Sequence, residues 1–150
     1  MNVQEIGEKM VEEIKSVEEN NISQLLLRLE DSSSIAQFDT EKRKITRYFV
    51  GHTGKINEIS MNHSQKLFST SSQDNTCKIW DVNSFRPSFT LEGHFGYVTS
   101  SLLVETSSST CCFTASTDNC IKVWDIKKLK TPLYELGFFF LFFFIFCFFF

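Results

Sequence analysis

Residues 51–81 read GHTGKINEISMNHSQKLFSTSSQDNTCKIWD, and residues 93–125 read GHFGYVTSSLLVETSSSTCCFTASTDNCIKVWD. Both segments begin with Gly-His and end with Trp-Asp. The Gly-His pairs are 42 residues apart and the Trp-Asp pairs are 44 residues apart. Two ordered landmarks that recur together at a period of about 40–45 residues indicate an internal repeat, with one small sheet in each unit.

Between these landmarks, short runs rich in Ile, Val, Thr, Phe and Tyr alternate with clusters of Ser, Asn, Asp and Gly. The runs KINEIS, TCKIWDV, YVTSSLLV and CIKVWDI are examples. Strands at this close spacing predict an antiparallel, all-β domain. Asp74-Asn75 and Asp118-Asn119 are turn pairs suited to tight hairpins between such strands.

The repeated Gly-His and Trp-Asp signature resembles the WD40 family, whose repeats each form one four-stranded blade of a β-propeller. The resemblance predicts a partial propeller of two to three four-stranded antiparallel blades, over residues 22–137. It divides this region into a degenerate partial blade at 22–50 and full blades at 51–92 and 93–137. Phe38-Asp39 stands where a degenerate Trp-Asp pair belongs, thirteen residues before Gly51.

The two ends of the chain lie outside the repeats. Residues 1–21 carry apolar side chains at spacings of three and four between glutamates, which predicts an amphipathic helix. Residues 138–150 read FFFLFFFIFCFFF and are too short to span a bilayer, which needs about 20 apolar residues. We interpret this low-complexity tail as a translated thymine-rich tract, an artefact outside the fold, with a membrane-associating tail as the alternative.

Composition narrows the classes of function. The 150-residue chain has a formal charge of −3, whereas a general nucleic-acid binder usually has a basic face. Its five cysteines form no Cys-x-x-Cys pair, and its first residues lack the pattern of a signal peptide. We therefore expect a reduced, intracellular setting, cytoplasmic or nuclear, with no metal site and no cofactor. His63 stands alone and is predicted to be a surface residue.

Each full repeat contains a histidine, a threonine, an aspartate and a tryptophan in the same order, with six residues from Asp to Trp in both. A hydrolase triad is one interpretation, but the set occurs twice and the chain has no Gly-x-Ser-x-Gly nucleophile motif. The resemblance to WD40 proteins instead implies a structural hydrogen-bonded network in each blade. The expected members are His52, Thr70, Asp74 and Trp80, then His94, Thr114, Asp118 and Trp124.

The resemblance also implies a protein-binding surface on the propeller face. Its candidate residues lie three and five positions after each Gly-His histidine, or just before each turn aspartate: Lys55, Asn57, Gln73, Tyr97, Thr99 and Thr117. We favour Tyr97 among them, because tyrosine offers a large contact area at low entropic cost.

The expected function is a non-catalytic scaffold that acts as an adaptor in a multiprotein complex and binds proteins or peptides rather than a small-molecule substrate. One alternative is a WD40 protein held at a membrane by the Phe-rich tail. Another is a subunit of a nucleic-acid-processing complex, suggested only by Lys127, Lys128 and Lys130. In that alternative the nucleic acid is handled by a partner and not contacted directly. The sequence leaves open the subfamily, the partner and the total number of blades.

Overall fold

The structure is a computed structural model that describes residues 24–28, 33–84, 86–128 and 131–137. This part of the chain is built from strands and turns. The strands, in chain order, are β1 (Gln24–Arg28), β2 (Ser34–Asp39), β3 (Lys44–Val50), β4 (Ile56–Met61), β5 (Leu67–Ser72), β6 (Cys77–Asp81), β7 (Pro87–Leu91), β8 (Val98–Glu105), β9 (Thr110–Ser116), β10 (Cys120–Asp125) and β11 (Tyr134–Gly137). The helix expected over residues 1–21 and the tail at 138–150 lie outside the described residues.

The strands form three antiparallel sheets, each a meander in which strands consecutive in sequence are paired. The first sheet has the order β1-β2-β3, the second β4-β5-β6-β7, and the third β11-β10-β9-β8. The second and third sheets are the four-stranded units that the doubled landmarks predict. The prediction of an all-β, partial propeller-like fold is therefore confirmed. Phe38-Asp39 ends β2, as Trp80-Asp81 ends β6.

Asparagines allow the tight turns between the two central strands of the second and third sheets. Asn75 has a φ of 67° and Asn119 a φ of 64°. This left-handed conformation is disfavoured for most residues but tolerated by asparagine. In each turn the preceding aspartate accepts a hydrogen bond from the backbone two residues later, from Thr76 and Cys120 at 3.0 Å each. The Asp-Asn pairs thus fix the loops at one end of each sheet.

Aromatic side chains dominate the contact between the first and second sheets. Phe49 meets Phe68 edge to face, with 4.9 Å between ring centroids, and Trp80 lies 5.8 Å from Phe49 and 5.9 Å from Phe68. All three rings are fully buried. Pairs in this distance range contribute about 0.5–1.5 kcal/mol each beyond the burial of their area.

Aliphatic side chains and cysteines, together with one tryptophan, fill the contact between the second and third sheets. Cys77 and Ile79 of β6 pack into one cluster with Cys112 and Trp124 of the third sheet. The Cys77 and Cys112 Sγ atoms are 4.0 Å apart, and both thiols are free. Side chains from both faces of β6 are therefore buried. This explains why TCKIWD has apolar residues on both faces of the strand and not on one face only.

Carboxylates also join the second and third sheets. The Glu58 carboxylate accepts hydrogen bonds from the Ser100 hydroxyl and, at 3.0 Å, from the Ser101 backbone N–H. At the other end of the same strands, Glu105 accepts from the Asn62 amide at 2.7 Å and from the Ser64 hydroxyl at 2.9 Å. One carboxylate from each sheet thus binds the other sheet.

The remaining face of the third sheet carries large apolar side chains that are exposed and that no residue in the described part of the chain encloses. Its exposed members lie on all four strands: Leu102, Phe113, Ile121, Tyr134 and Leu136. The second sheet is therefore enclosed on both faces, whereas the third sheet is enclosed on one.

Candidate functional site

A chain of hydrogen bonds crosses the second sheet from its core to its loops. The Trp80 indole N–H donates to the Thr70 hydroxyl at 2.8 Å. The Thr70 Oγ1 lies 2.7 Å from the His52 Nε2, and the His52 Nδ1 lies 2.7 Å from an Asp74 carboxylate oxygen. The four residues come from β6, β5, the loop before β4 and the β5–β6 turn, so the chain ties the two central strands to that loop and turn.

The chemistry of the donors sets the direction of this chain. An indole nitrogen can only donate and an ionised carboxylate can only accept, so the Thr70 oxygen accepts from Trp80 and, in a neutral ring, the Thr70 hydroxyl donates to the His52 Nε2. The other ring nitrogen, Nδ1, then carries the proton that is donated to Asp74. Burial lowers the pKa of His52 below its usual value of 6.5, against the opposing effect of Asp74. The ring is therefore neutral at physiological pH, as this arrangement requires.

Asp74 accepts hydrogen bonds at both of its carboxylate oxygens. One oxygen accepts from His52 and from the Thr53 backbone N–H at 3.0 Å. The other accepts from the Thr76 backbone N–H at 3.0 Å and the Thr76 hydroxyl at 2.7 Å. Burial alone would raise the pKa of Asp74, but the hydrogen bonds from Thr76, His52 and Thr53 outweigh it and lower the pKa to about 2.

The third sheet contains the same chain of hydrogen bonds. Trp124 donates to Thr114 at 2.9 Å, Thr114 lies 2.8 Å from the His94 Nε2, and the His94 Nδ1 lies 2.8 Å from Asp118. The structure thus brings all eight residues of the expected networks together as two quartets. Hydrogen bonds from His94, the Phe95 N–H and the Cys120 N–H outweigh the effect of burial and lower the pKa of Asp118 to about 2.

The reactive-looking hydroxyls of the two networks are inaccessible. Thr70 is 0% exposed and Thr114 is 1% exposed. Each hydroxyl oxygen already accepts from an indole N–H and lies against a histidine nitrogen. A substrate carbonyl therefore has no path to either hydroxyl in this conformation, and the geometry matches a packed polar core.

Two glycines that the sequence interpretation did not single out are required by the same loops. A Cβ on Gly54 would lie 2.7 Å from the Asp74 backbone nitrogen, and one on Gly96 would lie 2.5 Å from the Thr117 hydroxyl. Both distances are too short for a side chain. The recurring Gly-His-x-Gly pattern, at the same offset of 42 residues, was the available signal for this close approach.

Two further polar groups in the turns were also missed. The Ser72 and Ser116 hydroxyls accept hydrogen bonds from the backbone N–H groups of Asp74 and Asp118, both at 3.1 Å. The Thr76 hydroxyl was not predicted either, and it has no counterpart in the third sheet, where Cys120 takes its place.

The six candidate binding residues lie at one end of the second and third sheets. Backbone hydrogen bonds join Gln73 to Lys55 at 2.9 Å and Thr117 to Tyr97 at 3.0 Å. Tyr97 is 52% exposed, and Gln73, Thr99 and Thr117 are exposed as well.

Lys55 and Asn57 are half-buried at the same end. The Asn57 amide donates to the Val98 carbonyl at 2.7 Å and so links the two sheets, and the Thr99 hydroxyl donates to the Ala115 carbonyl at 3.2 Å. We name this end of the two sheets the loop surface.

Phe95 was not among the candidates, yet it is 93% exposed on the loop surface. His63 is exposed in the turn between β4 and β5, at the opposite end of the second sheet, as predicted.

Within the described ranges, no group of three or more His, Cys, Asp or Glu side chains is placed to hold a metal ion. The same part of the chain contains no helix long and apolar enough to cross a membrane.

Repeated four-stranded sheets with a polar quartet and an exposed loop surface define a propeller-type repeat protein. The sequence model of the WD domain, G-beta repeat, matches residues 43–81 and 85–125, together more than half of the chain. The chain belongs to the WD40 repeat family. Domains of this family serve as protein-binding scaffolds, typically without enzymatic activity.

Curated relatives match parts of the chain. The chain is 36% identical over 73 residues to the dynein assembly factor with WD repeat domains 1 of Xenopus laevis. This match covers 49% of this chain and 17% of the relative. The Danio rerio protein of the same name is 32% identical over 94 residues, 58% of this chain and 22% of the relative. The coatomer subunit beta' of Homo sapiens is 38% identical over 55 residues, 36% of this chain and 6% of the relative. The chain thus spans less than a quarter of the length of these relatives.

Proposed function

We propose that this chain acts as a non-catalytic adaptor, which binds partner proteins or peptides through the loop surface and holds them within a multiprotein complex. The observation that carries the proposal is the set of hydrogen bonds that holds the backbone of that surface. Its backbone is fixed by the Gln73–Lys55 and Thr117–Tyr97 hydrogen bonds, directly above the two buried quartets. Surfaces that are already ordered lose less entropy on binding.

The same quartets argue against a catalytic role for their members. Their histidines and threonines are buried, and every hydrogen-bonding position in the relay from tryptophan to aspartate is used within the repeat. The names of two relatives, a dynein assembly factor and a coatomer subunit, refer to proteins that work in assemblies, which supports an adaptor role for this chain. We place its action inside the cell, in the cytoplasm or the nucleus.

The proposal is tested by comparing the proteins retained by the wild-type chain and by variants at the two ends of the second and third sheets. The binding variant is Tyr97→Ala. The matched control is His63→Ala, which removes an exposed side chain from the opposite end. Quantitative mass spectrometry of the captured proteins should show partners that are lost by Tyr97→Ala and kept by His63→Ala, at equal thermal stability. Identical partner sets for both variants would contradict binding through the loop surface.

A further inference from the structure

Two aromatic rings stand in solvent on the loop surface of the third sheet. Phe95 is 93% exposed and Tyr97 is 52% exposed, on either side of Gly96. A phenylalanine so exposed contributes little to the fold, because apolar side chains stabilise a protein by leaving water.

The second repeat provides an internal control. Thr53 occupies the position of Phe95, and Lys55 occupies the position of Tyr97. In both repeats the first of these residues serves the network only through its backbone: the Thr53 N–H donates to Asp74 at 3.0 Å, and the Phe95 N–H to Asp118 at 2.9 Å. A threonine meets that requirement as well as a phenylalanine does. The structure of the repeat therefore does not require aromatic residues at these two positions.

The backbone beneath the pair is held in place. The Phe95 N–H is bound to Asp118, and the Tyr97 carbonyl accepts from the Thr117 N–H at 3.0 Å. Gly96 packs so closely on the Thr117–Asp118 turn that a Cβ would collide with it. The two rings consequently project from a fixed loop, and a partner would not have to order that loop in order to bind.

The charges around the pair favour a cation. The Asp118 carboxylate lies directly beneath the Phe95 backbone, and its pKa of about 2 keeps it ionised at physiological pH. Glu92, which precedes Phe95 by three residues in the sequence, is exposed, whereas the Asp118 side chain is about 10% exposed. The faces of aromatic rings carry partial negative charge and attract ammonium and guanidinium groups. In the second repeat the corresponding loop carries Lys55, which is itself a cation and would repel another one. The preference for a cationic partner therefore belongs to the third repeat.

We propose that Phe95 and Tyr97 form a docking point for an arginine or lysine side chain on an extended segment of the partner protein. This inference rests on the proposed function and names the chemistry of the partner at that surface. The inference is tested separately from the adaptor role, with defined peptides and the purified full chain. Three peptides serve as probes: Ac-Gly-Ser-Arg-Ser-Gly-amide, and two variants in which citrulline or leucine replaces the arginine. Citrulline keeps the shape of arginine and removes the charge.

Binding is followed by the change in backbone amide NMR signals of the loop surface during titration. The arginine peptide should shift the signals of residues 95–97 and bind about two- to fivefold more tightly than the citrulline peptide, the size expected for an exposed cation–π contact. Phe95→Leu, which keeps an apolar side chain, should remove this preference, whereas the matched variant Thr53→Ala should retain it.

Equal binding of the arginine and citrulline peptides, tighter binding of the leucine peptide, or an unchanged preference in Phe95→Leu would each overturn the inference. Those outcomes leave the adaptor role intact, because the capture experiment with Tyr97→Ala and His63→Ala does not depend on the charge of the partner. Identical partner sets for Tyr97→Ala and His63→Ala, together with an intact preference for the arginine peptide, would contradict the adaptor role alone.

Discussion

The second and third sheets carry the same polar quartet in different surroundings. The second sheet lies between two others, and its tryptophan packs in an aromatic cluster with Phe49 and Phe68. The third sheet has one exposed face, and Trp124 packs among aliphatic side chains and cysteines. The three corresponding hydrogen bonds nevertheless differ by only 0.1 Å between the sheets. The geometry of the quartet is therefore set within each repeat, and the packing around it can vary.

The packing difference predicts the largest effect. Trp80→Ala should lower the free energy of unfolding by about 3–5 kcal/mol, as large aromatic truncations in cores do. Trp124→Ala should cost about 1 kcal/mol less, because Trp80 also loses its contacts with two phenylalanine rings. Urea unfolding followed by circular dichroism measures both values. A larger loss for Trp124→Ala would mean that the open sheet, and not the enclosed one, dominates stability.

The shared geometry predicts a similar effect for the two central hydroxyls. Thr70→Val keeps the shape of the side chain but leaves the Trp80 N–H and the His52 Nε2 without partners, at a cost of about 2 kcal/mol. Thr114→Val should match it to within about 1 kcal/mol. Thr70→Ser and Thr114→Ser, which restore the hydroxyl, serve as controls in the same urea titrations. A cost confined to one sheet would break the equivalence of the quartets.

Acid should weaken both sheets in the same pH range. Each folded carboxyl of Asp74 and Asp118 has a pKa of about 2, below the usual 3.8, so the unfolded chain binds more protons between these values. Their contribution to stability is complete above about pH 4 and is lost as the pH falls towards 2. The lowered pKa of His52 acts in the same direction, beginning below pH 6.5. Carboxyl ¹³C NMR titration of the two aspartates checks this, and a normal pKa for either would contradict it.

The smallest effect concerns the single polar difference between the networks. Asp74 accepts from the Thr76 hydroxyl at 2.7 Å, whereas Cys120 occupies this position beside Asp118. Cys120→Thr should add the missing hydrogen bond and stabilise the chain by about 0.5–1.5 kcal/mol. The reciprocal Thr76→Cys should destabilise it by a similar amount. The melting temperatures of the two variants measure these changes in stability. We expect Cys120→Thr to raise the melting temperature and Thr76→Cys to lower it.

Much of the fold could be predicted from the sequence because the landmarks repeat. The Gly-His and Trp-Asp pairs predict the second and third sheets, and the Asp-Asn pairs predict turns that have the required positive φ. The first sheet was harder, since Phe38-Asp39 is its one recognisable landmark. It has three described strands, and its assignment as a degenerate blade stays a prediction.

The site could be predicted in part. The quartets lie within single repeats, so their members keep fixed spacings that a sequence comparison can detect. The carboxylate contacts of Glu58 and Glu105 join different sheets, and no spacing along the chain reports which strands face each other. The exposure of Phe95 was missed for a related reason: an aromatic residue in a loop gives no sign of whether it packs inward or stands in solvent.

Thermal unfolding of Asp74→Ala and Asp118→Ala tests the central claim most directly, namely that each quartet exists to hold its repeat and the loop surface together. Each substitution removes the acceptor for a histidine and for two or more other donors. Both variants should melt several degrees below the wild type, with each kcal/mol lost lowering the melting temperature by about 2–4 °C in a chain of 150 residues. Melting temperatures equal to that of the wild type within experimental error would contradict the structural role of the networks.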